Sequence, residues 1–305
     1  MRLQTEADRF LETFNRSRNT LRTYRNALAQ FVQTVGADAE LTTENYVRFL
    51  TAIRDLSPST QSGYRTAVLA LYAFCNTGDW PALKAATKHY TKKIGRQIVN
   101  FNREPLEQVL TYCASLADRE TGAARLEALR DRAFVLTLAD TGLRISEACA
   151  LKRGDVDWME QRAVIVGKGD KQAVVYFSNR SIQAMKDYLN ERAQVEPNSR
   201  IPLASQPVFA RHDICARHHV RPVSDSGMRK AIKERMEQAG VEKSLVRLHD
   251  FRHYFVTMVY AASNDIKRAQ EFARHESIAT TNRYTHLISD ASEAYDEIFN
   301  RSARG

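Results

Sequence analysis

The chain has 305 residues, of which 43% are hydrophobic and 27% charged, with a formal net charge of +9. That length suits two domains better than one, and the apolar content is enough to build buried cores. No stretch approaches the ~18 apolar residues of a membrane span, and the basic excess favours a polyanionic partner without fixing a fold. Residues 1–95 hold 13 Lys+Arg against 8 Asp+Glu, out of 45 and 36 in the whole chain, so both parts are basic. No apolar run follows Met1-Arg2, which leaves a soluble, cytoplasmic protein of a reducing compartment as the simplest expectation. Cys75, Cys113, Cys149 and Cys215 form no CxxC pair, and three of them have apolar helical surroundings. Buried, reduced thiols are the reading they favour.

The first ~90 residues read as short amphipathic helices. One covers Ala7 to Phe14. A second runs from Thr20 to Thr34, with Asn19 as its cap, Leu21, Tyr24, Leu28 and Phe31 in helical spacing, and Gly36 to end it. Thr43 opens a third, with Tyr46, Val47, Phe49, Leu50 and Ile53 as its stripe. Ser57-Pro58-Ser59 starts a fourth, which carries Tyr64 to Phe74 and stops before Asn76-Thr77-Gly78-Asp79. The basic stretch from Lys84 to Arg103 reads as an interdomain linker, either a solvated loop or a segment lying on phosphates. From there helices are predicted at 105–117, 121–139 and 144–152. Arg162 to Val166 and Gln172 to Phe177 form a β-hairpin with the basic, glycine-bearing tip Gly167-Lys168-Gly169-Asp170-Lys171. Further helices are predicted at 179–192, 224–239, 249–262, 265–273, 277–286 and 290–300. The last has Ala291, Ala294, Tyr295, Ile298 and Phe299 on one face.

Five residues in these segments have a chemistry in common. Arg144 follows Thr141-Gly142-Leu143, at a place where one helix ends and another starts. Its guanidinium fits the non-bridging oxygens of a phosphate, or else simply pairs with Glu147 at i+3. His249 and Arg252 stand at i and i+3 and share one helix face. His275 lies 23 residues after Arg252, and Tyr284 nine residues after that, in the polar setting Thr-Thr-Asn-Arg-Tyr-Thr-His. Two arginines, two histidines and a tyrosine can hold a phosphodiester and attack it. His212, His218 and His219 with Cys215 lack the paired spacing of a zinc site.

Residues 141–155 (TGLRISEACALKRGD), Lys168 on its hairpin, LHDFRH at 248–253 and ARHESIATTNRYTH at 273–286 together resemble the catalytic core of the tyrosine recombinases, the phage integrase and Xer family. The resemblance covers about residues 105–300. The helical start NTLRTYRNAL at 19–28 is similar, less specifically, to the family's core-binding domain. The implied fold is mainly α with a small β-sheet in the catalytic domain, a two-domain clamp on duplex DNA. Residues 1–95 would be a SAM-like core-binding domain. Residues 96–305 would be the catalytic domain, ending in an exchange helix. The implied catalytic residues are Arg144, Lys168, His249, Arg252, His275 and Tyr284. Tyr284 would attack the scissile phosphate, and Lys168 would protonate the leaving 5′-oxygen. The arginines and His275 would hold the phosphate, and His249 would serve as base toward the phenol or assist it through the phosphate. No cofactor and no metal are implied. The implied partners are double-stranded DNA, a homo-tetramer on paired sites linked through the terminal helix, and an accessory protein as an open alternative; no membrane is implied. A type IB topoisomerase and a non-cleaving DNA-binding regulator are the competing readings. Arg274 stands where the family usually has glycine, and a bulky cation there either adds a phosphate contact or alters helix packing.

Overall fold

The computed structural model describes residues 2–15, 17–76, 80–90, 103–166, 172–195, 201–212, 220–242 and 245–274. The chain forms two compact units, Met1–Gln97 and Ile98–Gly305. Among the described residues no helix is long and apolar enough to cross a membrane.

The first unit holds α1 (Leu3–Thr13), α2 (Arg18–Val35), α3 (Thr43–Ala52), α4 (Pro58–Phe74) and α5 (Trp80–Ala86). Its core gathers the expected stripes, with Phe10, Leu28, Phe31, Tyr46, Phe49, Leu50, Val68, Leu71 and Tyr72 all buried. Three helices start on hydroxyl caps, since Ser17, Thr42 and Ser57 accept from the backbone N–H groups of Thr20, Asn45 and Thr60. Such caps satisfy amides that have no partner within the helix. The expected cap Asn19 is therefore corrected: Ser17 opens α2, and Asn19 lies inside it. Likewise α1 starts at Leu3 rather than Ala7, because buried Leu3, Ala7 and Phe10 continue one stripe at helical spacing. The linker expected from Lys84 onward begins later as well. Leu83 is buried in this unit's core and Lys84 belongs to α5, followed by a 3-10 turn at Lys88–Tyr90.

In the second unit, α6 (Arg103–Arg119) and α7 (Gly122–Thr141) precede the short α8 (Ile145–Ala150). An antiparallel sheet then follows in the order β1 (Val156–Asp157), β2 (Arg162–Val166), β3 (Gln172–Tyr176). The hairpin register pairs Ala163 with Val175 and Val164 with Val174. Ala163, Ile165 and Val175 face the core, while Val164, Val166, Val174 and Tyr176 are exposed. The two-residue strand β1 has no signature in the sequence, being too short to show alternation. The remaining helices are α9 (Asn179–Val195), α10 (Asp225–Gln238), α11 (Asp250–Ser263) and α12 (Ile266–Ala273). Helix α7 is the centre of this unit: nearly every residue from Leu126 to Thr141 is buried, and α6, α9 and α11 pack around it. The mainly helical fold with one small sheet is as the sequence leads one to expect. Helices expected at 277–286 and 290–300 lie outside the described residues.

Candidate active site

The site begins where α7 stops. Gly142 takes the left-handed conformation (φ 61°), which lets its N–H close the helix on the Leu138 carbonyl at 3.1 Å. A Cβ at this position would run into the Phe255 ring, so only glycine fits both the backbone and the space. Thr141 seals the turn: its hydroxyl donates to the Thr137 carbonyl (2.6 Å) and accepts from the Leu143 N–H (3.1 Å). Two residues later the chain re-enters a helix, with Arg144 as the N-cap of α8. Glu147 grips that cap twice, accepting from the Arg144 backbone N–H at 2.9 Å and from Arg144 Nη1 at 2.7 Å. The Arg144 side chain remains 47% exposed, whereas that of Glu147 is 9% exposed. Burial opposes ionisation of Glu147, but the Arg144 amide and the charges of Arg274 and Arg144 outweigh it and hold the carboxyl below its ordinary pKa.

Helix α11 brings the second group. His249 is its N-cap rather than its first helical residue, and the Arg252 N–H donates to the His249 carbonyl at 3.1 Å. Arg252 is buried and aimed back at the α7 turn. Its Nη1 donates to the Gly142 carbonyl at 2.6 Å and its Nη2 to the Ala273 carbonyl at the end of α12. One guanidinium thus ties three helix ends together. His249 stacks edge-on with His253, with ring centroids 4.6 Å apart. Burial, then the charge of Arg252, and more weakly that of Arg144, push the His249 pKa below its ordinary value against an opposing pull from Asp250. The imidazole therefore sits in the field of both arginines, which favours its neutral form.

Arg144, His249 and Arg252 come from segments more than a hundred residues apart; Arg252 donates to the Gly142 carbonyl, two residues before Arg144, and the charges of both arginines reach His249. Lys168, His275 and Tyr284 lie outside the described residues. Their nearest described neighbours along the chain are Val166, where β2 ends, and Arg274, which immediately precedes His275. Arg274 is not among the residues that the sequence assigns to the site, yet its Nη2 donates to Glu147 Oε2 at 3.1 Å and reaches the Gly142 carbonyl at 3.4 Å. It caps α12 in the left-handed conformation (φ 56°), so a conformation that favours glycine is occupied here by arginine. The sequence signal is the cation in place of a glycine; its partners cannot be read from spacing.

Those of the other groups that lie among the described residues have structural roles. His212 Nε2 lies 2.8 Å from the buried Tyr188 hydroxyl, while Cys215, His218 and His219 lie outside the described residues. Cys113 and Cys149 are buried thiols, each pushed up to about 12 by burial; Cys75 is half-buried and raised to about 11 for the same first reason.

Comparison with known proteins bears on the family and the fold. Residues 102–290 match the phage integrase family. Tyrosine recombinase XerC of Halalkalibacterium halodurans is 27% identical over 276 residues, covering 88% of this chain and 85% of that protein. Tyrosine recombinase XerD of Corynebacterium glutamicum is 33% identical over 166 residues, covering 53% of this chain and 50% of that protein. The same fold is seen in the crystal structure of the XerH site-specific recombinase bound to a palindromic difH substrate in a post-cleavage complex. That structure has a TM-score of 0.69 and 22% identity, over 92% of this chain and 80% of that one. With the family match spanning more than half of its length and the two arginine boxes converging on one turn, this chain belongs to the phage integrase family of tyrosine recombinases.

Proposed function

We propose that the protein is a site-specific DNA recombinase that cleaves and rejoins duplex DNA through a 3′-phosphotyrosyl intermediate. The observation that carries this reading is the guanidinium pair at the Gly142 turn. Arg252 is buried and fixed, Arg144 is half-exposed, and His249 sits in the field of both, its pKa lowered by burial and by their charges. Preorganised positive charge of this kind is most effective where a phosphoryl transition state gathers negative charge.

The reaction assigned to these residues balances without an external energy source. The Tyr284 phenolic oxygen bonds to phosphorus as the bond from phosphorus to the 5′-oxygen breaks. The phenolic proton passes to His249, and a proton from Lys168 reaches the leaving oxygen. Arg144, Arg252 and His275 hold the non-bridging oxygens. The phosphodiester is exchanged rather than hydrolysed, so a second strand's 5′-hydroxyl reverses the step and releases Tyr284. Residues 1–95 would bind the core site. The apolar residues Ala291, Ala294, Tyr295, Ile298 and Phe299 would link four protomers on two paired sites.

The test is a nicked suicide duplex carrying DNA that flanks the gene, incubated with wild type and Tyr284→Phe in the presence of EDTA. A covalent adduct on denaturing gels from wild type alone supports the reading. Specific binding without an adduct overturns it, and strand exchange between two sites separates a recombinase from an enzyme that only relaxes DNA.

A further inference from the structure

Glu147 has two arginine partners, and DNA would treat them differently. Arg144 is 47% exposed, with Nη1 on Glu147 Oε1, whereas Arg274 is 13% exposed, with Nη2 on Oε2. Oε2 also accepts from the Arg144 backbone N–H, which stays where it is whatever the side chain does. Arg274 is held in a conformation unfavourable for a side chain, and its Nε is buried with no hydrogen-bond partner among the described residues. A cation kept in place against both costs contributes through its charge.

In the recombinase reading, on which this inference rests, the Arg144 guanidinium turns to a phosphate and gives up its one side-chain bond to Glu147, from Nη1. A carboxylate as buried as Glu147 (side chain 9% exposed) would then lose a counter-charge. Leaving a buried charge unpaired is expensive, so Glu147 alone would hold Arg144 back. We propose that Arg274 is a positioning residue, the resident counter-ion of Glu147, which frees the Arg144 side chain to engage the scissile phosphate. The Arg252 guanidinium is anchored at the same turn, with Nη1 and Nη2 donating to the backbone carbonyls of Gly142 and Ala273.

The test compares wild type, Arg274→Gly, Arg274→Lys, Glu147→Gln and the Arg274→Gly, Glu147→Gln double variant. Each is assayed for single-turnover adduct formation at saturating protein on the nicked duplex, and for Kd on the same duplex. Glycine adopts φ 56° without strain, so Arg274→Gly preserves the turn. Arg274→Gly is expected to slow adduct formation by about tenfold while Kd stays within about threefold, and Arg274→Lys, which keeps the charge, recovers much of the loss. In the Glu147→Gln background the same glycine substitution costs less than about threefold, because no charge remains to compensate. Equal losses in both backgrounds, no loss at all, or a loss of affinity as large as the loss of rate would each overturn the inference. A wild type that forms no adduct would instead overturn the recombinase reading itself, and the inference with it, so the two failures are told apart by the control.

Discussion

An imidazole placed among guanidiniums gives up its proton early. His249 is shifted below 6.5 by burial first, then by Arg252 and Arg144. The sign matters for both stability and rate. Below pH 6.5 the unfolded chain protonates this group while the folded chain resists, so His249 withdraws stability as pH falls through that window and costs nothing above it. For catalysis the neutral base persists to lower pH than an ordinary histidine would allow. The second-order rate constant for adduct formation, which reports the free protein, is therefore expected to have its acid limb centred below pH 6.5. A limb at or above that value would remove His249 from the role of base, as would a His249→Gln variant that kept its rate instead of falling on the order of 10²-fold. Gly142 answers to sterics instead. Gly142→Ala forces a side chain into a φ of 61° and into the Phe255 ring, at about 1–2 kcal/mol for the backbone and a further ~1–3 kcal/mol for overpacking. Thermal unfolding should show the loss. Adduct formation should fall with it, because the Gly142 carbonyl positions both Arg252 and Arg274.

Between elements, charge matters where it is buried. Asp131 of α7 is 1% exposed and binds Arg130 Nε and Nη2 at 3.0 and 2.8 Å through one oxygen, and Arg235 Nε of α10 at 2.9 Å through the other. Asp131→Asn leaves two guanidiniums short of a counter-charge and should cost about 3–5 kcal/mol in urea unfolding. The pair Lys230–Glu234 on α10 is open to solvent at 82% and 53% exposure, so Glu234→Gln should change stability by less than about 0.5 kcal/mol. Equal effects would mean that burial does not govern these pairs. The same division explains what is legible in the sequence. Helices α2, α3 and α4 show their buried faces as apolar stripes, and the pairing of Arg144 with Glu147 is visible because three residues separate them. Helix α7 has no polar face to contrast with, since its surroundings are protein on nearly every side. Arg274 and Glu147 meet across 127 residues, and no local pattern encodes such a contact. The identity of the family comes from ordered motifs, but the mutual positions of Arg144, His249 and Arg252 come only from the fold.

At the scale of the molecule, the basic excess is shared by both parts of the chain, and residues 1–95 alone carry 13 Lys+Arg against 8 Asp+Glu. Phosphate contacts release counterions, so each adds about 0.9 to the slope of log K against log salt on duplex DNA. Lys92, Lys93 and Arg96 fall at the junction of the two units, where the sequence is basic and poor in strong apolar positions. If this stretch lies on the duplex backbone, replacing all three by Gln should flatten the slope by up to about 3. Binding should then weaken to a similar degree for a specific and an unrelated duplex, because phosphate contacts carry no sequence information. A residue reading base edges behaves differently: its loss weakens the specific complex and leaves the salt slope of the unrelated one alone. Titrations of the triple variant and wild type on both duplexes, across a range of salt, separate these cases. An unchanged slope would make the junction a solvated connector and place the electrostatic grip on the helical faces of the two units.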